Sequence, residues 1–123
     1  INSIINEIND NKIIKAINPT IQETLSIFND AIILITGDSG SAHLSNITNT
    51  TTIALWGPTN KNKTGPISKD LTYIDLNLDC APCYHKSRVG CGDNQCMQKI
   101  LPEHVLTIFL KKIPQNLFLK KNN

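Results

Sequence analysis

An α/β fold, a three-layer parallel sheet with helices on both faces, is what this 123-residue sequence predicts, and three observations point to it. Short β-branched apolar runs at Ile32–Thr36 and Thr51–Trp56 are too brief for helices and suit parallel strands. Stretches of helical spacing alternate with them, an order that produces right-handed crossovers and a parallel sheet. Between those two runs lies Gly37-Asp38-Ser39-Gly40-Ser41, a strand-breaking cluster that opens a helix.

The elements follow in order. Ile4, Ile5 and Ile8 have helical spacing, and Asp10-Asn11 ends that pattern before a short strand expected over Ile13–Ala16. Thr20 with Glu23 forms a capping-box pattern, so a helix is predicted over Ile21–Phe28, with Ile21, Leu25 and Phe28 facing inward. Strand Ile32–Thr36, expected to be covered on both faces, leads to the glycine turn, a helix over Ser41–Ile47 and strand Thr51–Trp56. Gly57-Pro58-Thr59 ends that strand, Asn60–Lys63 reads as a polar loop, and Leu71–Leu76 as a further strand. Pro102 opens a last helix with Val105, Leu106, Phe109 and Leu110 as its buried stripe.

Composition narrows the function classes. One domain spanning residues 1–123 is expected, since the length suits one ordinary core. A net charge of +2 and 5% aromatic residues provide neither the electrostatic footprint nor the stacking platforms of a nucleic-acid binder. No apolar run approaches a membrane span, and a cytoplasmic setting is expected. Lys111-Lys112 and Lys120-Lys121 read as a solvated helix end and tail in preference to a membrane-surface patch. Because the chain opens on Ile1 in an amphipathic pattern, it is expected to be cut from something longer.

The glycine turn carries the chemistry. The first N–H groups of a helix have no internal partner, and with the helix dipole they form an anion site suited to phosphate. The turn lacks the Lys-Ser/Thr of one familiar phosphate loop and the glycine spacing of the other, so taken alone it is as readily a tight turn as a site.

The wider pattern adds to that reading. Pro19-Thr20, Glu23-Thr24, then Asp38-Ser39-Gly40-Ser41-Ala42-His43-Leu44, then Ala54-Leu55-Trp56-Gly57-Pro58-Thr59 together resemble glycosyltransferase family 9, the ADP-heptose:lipopolysaccharide heptosyltransferases. The resemblance extends over most of residues 13–110 and implies a Rossmann-like domain, the C-terminal half of a two-domain GT-B enzyme. It implies inverting transfer of heptose or a related sugar from an ADP-sugar to a lipopolysaccharide core acceptor. By resemblance Asp38 holds donor-sugar hydroxyls, Ser39, Gly40 and Ser41 present N–H groups to the diphosphate, and His43 lies one turn into the helix. Thr20 would line the nucleobase pocket or serve as a cap, and Gly57, Pro58 and Thr59 would border the donor or only turn the chain. No catalytic base is expected in this chain, because the family's base and acceptor pocket belong to the N-terminal domain. The lipopolysaccharide acceptor also leaves room for peripheral association with the inner membrane face.

No cofactor is required by that chemistry, and no Asp-x-Asp motif marks a metal-bridged diphosphate. Cys80, Cys83, Cys91 and Cys96 follow C-x2-C-x7-C-x4-C, open to a structural zinc site, reduced thiols or disulfides. A zinc-stapled, non-catalytic interaction module with a purely structural turn is the alternative function, and a transferase of another nucleotide sugar is a third.

Overall fold

The computed structural model describes residues 13–84 and 94–115. Three strands, β1 (Leu34–Gly37), β2 (Thr52–Leu55) and β3 (Leu71–Ile74), form a parallel sheet in the order β1-β2-β3. Their register pairs Ile35 with Ile53 and Ile53 with Thr72. Helix α1 (Ile21–Asp30) precedes β1, and α2 (Gly40–Thr48) connects β1 to β2. One-turn helices α3 (Lys61–Thr64) and α4 (Gln95–Gln98) follow, and α5 (Pro102–Lys112) is the last described element.

Strand alternation assigns the layers. Ala54 points to one face, where it clusters with Ala42 of α2 and with Trp56, flanked by Leu71 and Tyr73. Ile35, one residue out of phase with the residues facing α2, lies on the other face beside Pro102, Val105, Leu106 and Phe109 of α5. The sheet is therefore sandwiched between α2 and α5, the three-layer α/β arrangement expected. Trp56 and Ile53 are fully buried at its centre. The Trp56 and Tyr73 rings meet edge to face at 5.1 Å, a geometry that aligns a ring edge with a π face.

Local chemistry explains the element ends. Thr20 Oγ1 accepts from the Glu23 N–H at 3.2 Å, and Glu23 Oε2 accepts from the Thr20 N–H at 2.8 Å, closing the capping box at α1. These bonds hold the exposed Glu23 carboxyl below its ordinary value. Helix α2 ends at Asn49, in the left-handed conformation that asparagine tolerates. Thr50 Oγ1 donates to the Phe28 carbonyl at 2.8 Å, tying the end of α1 to the start of β2.

Several sequence expectations need correction. Ile13–Ala16 forms no strand, and Ile14 is 92% exposed. A strand exists only through a neighbour's hydrogen bonds, and β1 has a neighbour on one side only among the described residues. Ile21 is exposed, so the inward face of α1 reduces to buried Phe28 and half-buried Leu25. Ile35 is 48% exposed, and on α5 Leu106 and Leu110 are exposed while Val105 and Phe109 are half-buried. These side chains face an apolar groove over which no described element lies. The helical pattern at Ile4–Ile8 and the tail Leu117–Leu119 lie outside the described residues.

Candidate functional site

The site lies at the C-terminal edge of the sheet, where open α/β folds bind ligands. The segments leaving β1, β2 and β3 come together there: Gly37–Ser41, Gly57–Asn62 and Asp75–Asn77.

The turn after β1 delivers helix α2 with its N-terminus open. Ser39 is the N-cap residue, but its side chain makes no capping bond. Its Oγ lies 3.1 Å from Thr36 Oγ1 instead. The Ala42 N–H bonds the Ser39 carbonyl at 3.1 Å, so Gly40 and Ser41 start the helix with N–H groups that the helix itself does not use. A Cβ added to Gly37 or Gly40 would meet nothing within 4 Å, and neither glycine has a positive φ. Neither packing nor backbone conformation therefore demands glycine here. What these glycines leave is bare backbone facing open space, the form of a cradle for phosphate.

Asp38 and Thr59 join the two halves of the signature. Thr59 Oγ1 donates a hydrogen bond to Asp38 Oδ2, linking turns 21 residues apart in sequence. Beneath them, Tyr73 donates its hydroxyl proton to the Pro66 carbonyl at 2.8 Å. Burial, and next the negative charge of Asp38, push the Tyr73 hydroxyl above its ordinary value, so it stays protonated at neutral pH. His43 is exposed on α2, with no hydrogen bond among the described residues. Thr20 spends its hydroxyl on the α1 capping box.

Gly57-Pro58-Thr59 is held from outside by the cysteine-bearing segment. The Tyr84 N–H bonds the Pro58 carbonyl at 2.7 Å. On its other side, a Cβ on Gly57 would come within 2.7 Å of Met97 Sδ and 2.9 Å of Cys96 Sγ. Cys80 is exposed, Cys83 half-buried and Cys96 buried, none of them in a disulfide. Cys91 lies outside the described residues. Among the described residues no three His, Cys, Asp or Glu side chains converge as metal ligands, so no step is routed through a metal.

Sequence reasoning missed Thr36, Lys61, Asp75 and Asn77, which border the same edge. Lys61 Nζ and Asp75 Oδ2 form an ion pair at 3.0 Å. The only signal was position, since Asp75 and Asn77 directly follow a strand's C-terminal end.

Comparison with known proteins agrees with this geometry. Residues 12–91 match the model of glycosyltransferase family 9 (heptosyltransferase). Lipooligosaccharide heptosyltransferase 2 of Campylobacter jejuni subsp. jejuni serotype O:2 is 35% identical over 75 residues, covering 60% of this chain and 23% of that protein. Its namesake from serotype O:6 is 33% identical over the same shares. The chain thus spans about a quarter of the length of these curated relatives. No solved structure matches. None of these relatives supports a non-catalytic interaction module, and no described helix is long and apolar enough to cross a membrane. With a family match over more than half its length, the chain belongs to glycosyltransferase family 9.

Proposed function

We propose that these residues form the donor-binding domain of a heptosyltransferase, which takes the sugar from an ADP-heptose-like donor for transfer to a lipopolysaccharide-type core acceptor. The observation that carries this reading is the Asp38–Thr59 hydrogen bond, which pins the two halves of the signature together beside an uncapped helix N-terminus. In this reading the diphosphate lies against the Gly40 and Ser41 N–H groups. The helix dipole then stabilises the negative charge that grows on the departing nucleoside diphosphate. Asp38, an acceptor for two strong hydrogen bonds, faces sugar hydroxyls. His43, about one turn along the same helix, lies within reach of a phosphate oxygen.

The proposed reaction is inverting. An acceptor hydroxyl attacks the anomeric carbon, its proton passes to a base, and the C–O bond to the diphosphate breaks. The base comes from outside these 123 residues, which bind donor and perform no chemistry by themselves. Sugar transfer by the purified chain would overturn that assignment.

Calorimetric titration with ADP tests the binding claim. Binding by the unmodified protein, weakened about tenfold or more in Asp38→Ala, is the expected result, since it removes a charged hydrogen-bonding group. An absence of binding up to millimolar ADP would refute it.

A further inference from the structure

A second enclosed space lies on the same edge of the sheet and is not used by the diphosphate. It is a cavity of about 130 Å³ between the segments that leave β2 and β3, walled by Thr59, Asn60, Lys61, Asn62, Asp75 and Asn77. Pro82, from the cysteine-bearing segment, borders it opposite.

The groups in the wall select the ligand chemistry. Asp75 Oδ2 neutralises Lys61 at 3.0 Å, and Asp75 Oδ1 accepts from the Asn77 N–H at 2.9 Å. Asn60 Oδ1 accepts from the Asn62 N–H at 2.9 Å. The Asn62 and Asn77 side chains make no hydrogen bond among the described residues, and the carboxylate keeps acceptor capacity. A phosphate would meet a cation already paired and a carboxylate that repels it. A nucleobase would find no aromatic face, and an apolar ligand would strand the amides. A neutral ring dense in hydroxyls satisfies amides and carboxylate together, each hydroxyl both donating and accepting.

Position agrees with chemistry. Thr59 walls the cavity and also donates to Asp38, so the cavity and the phosphate turn share a residue. Neighbouring strands lie about 4.8 Å apart, so the ends of β1 and β3 are separated by roughly 10 Å. A sugar joined to a diphosphate at β1 reaches that far.

We propose that this cavity seats the hydroxyls of the sugar being transferred, with Asn62, Asp75 and Asn77 determining which sugar is accepted. The assignment rests on the donor-binding reading above.

The test titrates the protein at its natural length with ADP and, separately, with ADP-heptose. Asn62→Ala removes one exposed amide, and Asn77→Gly removes another while keeping the left-handed backbone at φ 48° accessible. Each variant is expected to weaken ADP-heptose about tenfold and to change ADP less than twofold. Equal losses for both ligands would overturn the assignment in favour of the ribose. Unchanged affinity for ADP-heptose in both variants would also overturn it, as would equal binding of the two ligands by the unmodified protein. Failure of the unmodified protein to bind ADP removes the donor-binding reading and this assignment with it, and is distinct from ADP binding that the variants leave without discrimination.

Discussion

The two turns that meet at the sheet edge are built on opposite plans. The turn after β1 is exposed from Asp38 to Gly40, and its glycines have empty space where a side chain would project. The turn after β2 follows fully buried Trp56, and its glycine is pressed against Met97 and Cys96. One residue type thus serves two purposes. Gly57 is small because the protein fills the space, whereas Gly40 is small although the protein leaves it empty. The second turn is a foundation and the first is a receiving surface, so stability and binding should separate when each is altered.

The largest effect is expected at the foundation. Trp56→Ala should cost about 3–5 kcal/mol of stability, read as a lowered denaturation midpoint, because a buried indole leaves a cavity at the sheet centre. Gly57→Ala should cost about 1–3 kcal/mol by overpacking against Cys96 and Met97. An unchanged melting temperature in Gly57→Ala would break the contrast. Gly40→Ala should leave the melting temperature within a degree or two, since alanine is no worse in a helix, yet weaken ADP by about tenfold through lost approach to the backbone. Thr59→Val removes the link between the turns and should cost about 1 kcal/mol or less of stability, because the bond is solvent-exposed. Nuclear magnetic resonance shifts at Asp38 would report the separation of the turns.

The smallest effect concerns acid, at α1 rather than at either turn. Glu23 is held below its ordinary value of 4.5 by its bonds to Thr20. The unfolded chain therefore binds the proton first, and the cap's contribution is complete above 4.5 and lost as pH falls through the lowered folded value. Helicity at α1 should fall over that acid range in the native protein and stay flat in Glu23→Gln.

Much of this contrast was legible in the sequence, for local reasons. Thr20 and Glu23 announced the start of α1, Pro102 that of α5, and β-branched runs located β1, β2 and β3 to within two residues. Those signals act between near neighbours. What failed depended on distant partners: Ile13–Ala16 has strand composition but no strand beside it, and Leu106 and Leu110 have core spacing but nothing described above them. The site divides in the same way. Asp38, Gly40 and Thr59 were found through a motif, while Asp75 and Asn77 emerge only when β3 aligns with β2. The one-turn helix α3 escaped as a polar loop because four residues carry no periodicity.

Met97 is the single methionine of the chain, and its sulfur rests on the turn after β2. Oxidation would add one polar oxygen at that contact and nowhere else as a sulfoxide in these residues. The rate of that mass increase under mild peroxide is therefore a one-residue clock for how firmly the turn is held, and bound donor should slow it if the turn tightens around its ligand.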